Sequence, residues 1–158
     1  MGKYDMRQIR RLETKEEKQA AAAAVLSALP QWFGIPESTA EYVENCGELP
    51  VWAAMEQGNV IGFLALKRTS PCAMEIYVMG VCPQHHRQGV GEALLNAAER
   101  AALAANVEFL QVKTVEPGHY AEYDRTVDFY QAMGFRVLEV FPTLWDPWNP
   151  CLLLVKKL

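Results

Sequence analysis

The chain has 158 residues, 51% of them hydrophobic and 22% charged, with a formal net charge of −4. A chain of this length suits one domain and buries roughly 68–70% of the surface its unfolded form exposes. Residues 1–79 carry 8 basic and 10 acidic side chains and residues 80–158 carry 7 and 9, so neither half has the basic footprint of a nucleic-acid binder.

The first element is expected as a strand from Tyr4 to Leu12. Thr14 followed by Glu17 has the spacing of a capping box, and a helix follows to about Leu29. Its near-apolar stretch, Ala20 to Pro30, is far short of the roughly 20 residues that span a membrane. The mixed charges of Lys15 to Lys18 before it are not those of a signal peptide, and Met6 stands where N-myristoylation wants Ser or Thr. After the breaker Pro30 to Gly34, a second helix is predicted from Pro36 to Cys46, with Glu37, Glu41 and Glu44 sharing a face.

Val51 to Glu56 and Val60 to Lys67 read as a hairpin across Gln57-Gly58-Asn59. Met74 to Val81 is a third long strand. From Gly89 to Ala105 the period becomes helical, with Val90, Leu94, Ala98 and Ala101 on one stripe. A buried strand is expected at Val107 to Val115, a helix at Asp124 to Met133 ended by Gly134, and a strand at Phe135 to Phe141. A Pro/Trp-rich loop, 142–150, then leads to a last strand from Cys151 to Lys156. The strand, helix and strand from 74 to 115 form a right-handed parallel crossover beside antiparallel hairpins. The predicted fold is therefore a single α/β (α+β mixed) domain over residues 1–158. Its mostly antiparallel mixed sheet has about seven strands, one pair parallel, and about four helices flank it.

The chemistry concentrates in Val81-Cys82-Pro83-Gln84-His85-His86-Arg87-Gln88-Gly89-Val90-Gly91-Glu92. Glycines at a helix start let the backbone approach a ligand, and the first helical amides lack intrahelical partners in the positive end of the dipole. Such a terminus suits phosphate. No Gly-Lys-Ser/Thr follows, so it is not a P-loop, and the third glycine of a dinucleotide fingerprint is missing. A plain strand–helix turn is the competing explanation. Cys82 with His85 and His86 lacks a second ligand pair, so no metal is expected. Cys46, Cys72, Cys82 and Cys151 have no C-x-x-C spacing and read as reduced thiols of a cytoplasmic protein.

The stretch His86-Arg87-Gln88-Gly89-Val90-Gly91 resembles the acetyl-CoA loop of the GNAT superfamily of N-acetyltransferases, Gln/Arg-x-x-Gly-x-Gly/Ala, with His86 departing at the first position. Phe129-Tyr130-Gln131-Ala132-Met133-Gly134-Phe135 resembles the family's helix that ends in Tyr and then Gly-Phe. The order of elements fits from Tyr4 to Lys156. The resemblance implies that the parallel strands splay to admit the cofactor's pantetheine arm, pairing it with backbone groups of Met79 and Val81. It further implies that the amides of Arg87, Gln88, Gly89, Val90, Gly91 and Glu92 hold the pyrophosphate. Glu75 stands 14 residues before Gly89, where several family members carry a catalytic glutamate. It sits in an otherwise apolar strand, where burial would raise its pKa toward the working range. Tyr130 matches the tyrosine near the cofactor sulfur. Tyr123, His119 and Tyr120 are near enough in sequence to line an acceptor pocket.

The expected activity is acetyl transfer from acetyl-CoA, without a metal, to a primary amine of a small molecule. Two other readings stay open: acetylation of a protein N-terminus or lysine, and a non-catalytic acyl-CoA-binding module. No nucleic-acid or membrane partner is expected. The aromatic segment Pro142 to Trp148 would suit contact with a second copy in a homodimer.

Overall fold

The computed structural model describes residues 7–158; Tyr4, Asp5 and Met6 of the first predicted strand lie outside the described residues. The chain runs β1 (Arg7–Arg11), α1 (Lys15–Ser27), α2 (Pro36–Cys46), β2 (Val51–Glu56), β3 (Asn59–Ser70), β4 (Ala73–Val81), α3 (Val90–Ala104), β5 (Phe109–Val115), α4 (Ala121–Ala132), β6 (Arg136–Asp146) and β7 (Asn149–Lys157). The seven strands form one mixed sheet in the order β1-β2-β3-β4-β5-β7-β6. Strands β4 and β5 are parallel, while β1–β2, β2–β3, β5–β7 and β6–β7 are antiparallel. This is the mixed sheet with four helices that the sequence predicts. Contacts divide the chain into two compact units: one of residues to 67 with 77–101, and one of 68–76 with 102–158.

In the first unit, α1 starts as its sequence demands. The Thr14 hydroxyl accepts the Glu17 N–H at 3.1 Å, and the Glu17 carboxylate accepts the N–H groups of Glu13 and Thr14. These two backbone donors hold Glu17 below the usual carboxylate range. The helix then buries Ala21, Ala22, Val25 and Leu26, in one cluster with Leu29, Phe63, Ala65 and Val78. Gly80 allows β4 to lie against α1 and the residues after it, because a Cβ there would meet Val25 Cγ1 at 3.1 Å and Leu29 Cδ1 at 2.8 Å. The β2–β3 connection is tighter than the three-residue turn expected. Gln57 and Gly58 both have positive φ, 51° and 82°, and Glu56 pairs with Asn59 across a two-residue turn of I′ character.

In the second unit, β5 pairs with β4 over three positions, Ala73–Phe109 to Glu75–Gln111, and with β7 from Phe109–Lys157 to Val115–Cys151. Leu110, Val112, Leu152 and Leu154 are buried there. Helix α4 begins at Ala121, before the expected Asp124, whose carboxylate instead accepts the Gly118 N–H at 2.9 Å. The loop expected at 142–150 is largely strand. β6 continues through Pro142 to Asp146, which proline permits on the outermost strand of a sheet. The Asp146 carboxylate closes the turn by accepting the Trp148 N–H at 2.9 Å and the Asn149 amide at 3.0 Å. Among the described residues no helix is long and apolar enough to cross a membrane.

Cys46 is fully buried in the core of the first unit, and that burial pushes its thiol up to about 12 from a usual value near 9. The folded thiol therefore keeps its proton where the unfolded thiol has released it. Its contribution is complete below about pH 9 and is lost as pH rises toward 12, at up to about 1.4 kcal/mol per pH unit. Urea denaturation from pH 8 to 11 should show a steeper alkaline loss of stability in the native chain than in Cys46→Ala.

Candidate active site

The passage from β4 into α3 is built by local hydrogen bonds. Pro83–His85 forms a single 3₁₀ turn in which the His85 N–H donates to Cys82 O at 2.9 Å. Gln88 Nε2 donates back to Gln84 O at 3.1 Å. Arg87 and Gly89 then hold left-handed backbone, φ 60° and 80°, and α3 begins at Val90. The Ala93 N–H donates to Gly89 O at 3.0 Å, so the amides of Val90, Gly91 and Glu92 come before the first rung of the helical ladder. A Cβ on Gly89 would meet nothing within 4 Å. Donor amides, a positive dipole end and open space coincide here, an arrangement that suits an anionic group.

His86 has a use that the motif comparison does not suggest. Its Nε2–H donates to the Val81 carbonyl at 2.6 Å, and because a carbonyl only accepts, Nε2 must carry the proton. The ring also meets Trp32 edge-on, with centroids 6.0 Å apart. The side chain is thus a brace between the loop and the end of β4. His85 places Nδ1 at 3.4 Å from Glu56 Oε2, an ion pair when protonated, although the contact lacks hydrogen-bond geometry. Among the described residues, no group of three or more His, Cys, Asp or Glu side chains is placed to hold a metal ion.

The two units divide the residues singled out in the sequence. Met79 and Val81, both half-buried on β4, belong to the first unit together with Arg87 to Glu92; Glu75 and Tyr130 belong to the second. Glu75 Oε2 lies 3.3 Å from Lys113 Nζ of β5, with the glutamate side chain only 12% exposed. The apolar surroundings expected from its own strand therefore hide a cation on the next one. Beside it, Gln111 Nε2 donates to Thr69 Oγ1 at 2.9 Å. Lys113 escaped the sequence reading because only the register of a parallel pair, Glu75 opposite Gln111, brings it near.

Tyr130 is 4% exposed and packs edge-on against Phe129 and Phe135, at centroid distances of 5.3 and 5.5 Å. Its burial pushes the phenol well above the usual range. Near the start of α4, Tyr120 and Tyr123 stack edge-on at 5.9 Å, and His119 Nε2 lies 3.4 Å from Glu116 Oε1.

Gly89→Ala tests the loop directly. With open space around the new methyl group, only the left-handed backbone opposes it, and the variant should lose about 1–2 kcal/mol of stability in urea denaturation. A neutral result would mean that the loop relaxes to an ordinary turn.

A family model described as an acetyltransferase (GNAT) domain matches residues 47–137, more than half of the chain. No curated protein sequence matches the chain. Among solved structures, a GNAT-family protein from Desulfovibrio desulfuricans superposes with a TM-score of 0.84 at 17% identity, covering 96% of this chain and 98% of that one. The ribosomal-protein-S18-alanine N-acetyltransferase from Escherichia coli gives 0.75 at 20% identity, covering 96% and 94%. An aminoglycoside 6′-N-acetyltransferase complexed with coenzyme A gives 0.71 at 17%, covering 95% and 96%. At such identities the structures establish a shared fold, and their acceptors differ in class. The strand–loop–helix geometry and the family match together place the chain in the GNAT acetyltransferase family.

Proposed function

We propose that this chain transfers an acetyl group from acetyl-CoA directly to a primary amine of a small molecule. The observation that carries the reading is the helix start after Gly89, where the amides of Val90, Gly91 and Glu92 precede the first helical rung and the space beside Gly89 is open. The pyrophosphate lies against the amides of Arg87 to Glu92, and the exposed Arg87 side chain is available to a phosphate. The pantetheine arm pairs with backbone groups of Met79 and Val81, which lie beyond the three residues of β4 that pair with β5.

The chemistry poses two proton problems. An amine of pKa about 10.4 is less than one part in a thousand neutral at pH 7, so the acceptor must lose a proton before it attacks. Glu75 takes that proton, directly or through a water, with Lys113 compensating its charge in the resting state. The amine nitrogen then attacks the thioester carbon, and the carbonyl oxygen becomes an oxyanion that the amide near Met79 stabilises. The C–S bond breaks, the sulfur leaves as a thiolate, and the nitrogen releases its remaining extra proton to solvent as the neutral amide forms. Tyr130 donates a hydrogen bond to that sulfur. Its raised pKa keeps the hydroxyl protonated throughout the working range and makes it a donor, not a proton source. No metal takes part in these steps.

Acetyl-CoA at about 100 times its dissociation constant should stabilise the fold by roughly 2.7 kcal/mol, and Gly91→Val should remove most of that gain. Release of free thiol over a panel of small amines and peptides identifies the acceptor class. Turnover restricted to peptides would favour a protein acceptor, and cofactor binding with no turnover would favour a binding module. Glu75→Gln should lower kcat/KM by about 10²–10⁴-fold and lose the acidic limb of the pH–rate profile. Tyr130→Phe should lower kcat by about 10- to 1000-fold, less with a thioester of a more acidic thiol. Unchanged pH profiles in the first variant, or full turnover in the second with chemistry rate-limiting, would return those residues to structural roles.

A further inference from the structure

A cavity of about 470 Å³ opens in the first unit between the start of α1, the end of α2, β3 and β4. Its polar lining is Lys15, Glu44, Asn45, Glu48, Lys67 and Tyr77. Two cations and two carboxylates therefore face one space, but they are not equivalent. Lys15 Nζ and Glu48 Oε1 are 3.8 Å apart and compensate each other. Lys67 and Glu44 have no ion-pair partner among the described residues.

Tyr77 lines the same cavity and is held in place by its neighbours. Its hydroxyl accepts a hydrogen bond from Asn45 Nδ2 at 2.8 Å, and its ring meets Tyr42 edge-on at 5.3 Å. The Lys67 ammonium lies 5.7 Å from the centre of that ring. On β4, Tyr77 precedes Met79 by two residues, about 7 Å along the strand. Resting on the acetyl-transfer reading above, this puts the cavity beside the segment that holds the thioester.

We infer that the cavity binds the acceptor, and that the acceptor is a primary amine that also bears a carboxylate, of the amino-acid class. The carboxylate meets Lys67, and the amine, entering as an ammonium, meets Glu44. Such a zwitterion compensates both open charges at once. At these two exposed side chains a polyamine would leave Lys67 facing a like charge, and a dicarboxylate would do the same to Glu44.

The test is equilibrium binding to the full chain, followed by NMR titration at pH 7. The probes are amino acids, each matched with its α-amide, together with spermidine. At least one amino acid should bind about tenfold or more tightly than its amide, since the amide lacks only the carboxylate. Lys67→Met should abolish that discrimination and Lys67→Arg should retain it; both should keep the native thermal transition. Glu44→Gln should weaken an amino acid and its amide alike. Equal binding of acid and amide throughout the panel, spermidine as the tightest ligand, or discrimination that survives Lys67→Met would overturn the inference. Failure of the acetyl-transfer reading would look different. There, acetyl-CoA would give no thermal shift and no thiol release, while the acid–amide discrimination persisted.

Discussion

The turn from β4 into α3 requires left-handed backbone at two positions, and the rest of the proposed donor site depends on it. Glycine adopts that conformation at no steric expense, but for Arg87 it costs about 1–2 kcal/mol. The surrounding hydrogen bonds offset this strain. His86 ties the loop to Val81, Gln88 ties it to Gln84, and the 3₁₀ turn joins His85 to Cys82. With the chain so directed, α3 starts at Val90 and leaves the amides of Val90, Gly91 and Glu92 ahead of its first rung.

Charge compensation is the second organising constraint. Two partly buried carboxylates lie beside basic side chains: Glu75 beside Lys113, and Glu56 beside His85. Desolvating a carboxylate without such a partner would cost more than packing returns. In the proposed mechanism the Glu75 pairing bears on chemistry, because Lys113 would give up part of its contact as the Glu75 carboxylate turned to an amine. Lys67 and Glu44, both exposed, stand open at the cavity where the other two charges pair.

The second unit shows how a local composition can mislead. Three aromatic and three proline residues between Phe141 and Pro150 suggest a loop, yet the segment carries a β-hairpin. Proline is excluded from a strand only where its missing N–H would have to pair. On the outermost strand, β6, one side has no neighbour, so the objection lapses. Sheet position, which decides this, is a property of the assembled fold.

What the sequence determined by itself is local or depends on short-range periodicity. The Thr14–Glu17 cap, the bounds of α2 at Pro36 and Cys46, the helical stripe from Val90 and the glycine loop are all readable because their causes lie within a few residues. The order of elements follows from them, and with it the family resemblance. What only the tertiary structure decided involves partners far apart along the chain. Lys113 reaches Glu75 across 38 positions through a parallel register. Asn45 reaches Tyr77 across 32, and the cavity needs four separate elements to close around it. Such contacts are set by strand register and helix packing, where a shift of one residue exchanges one face for the other. No pattern in a single segment records that choice.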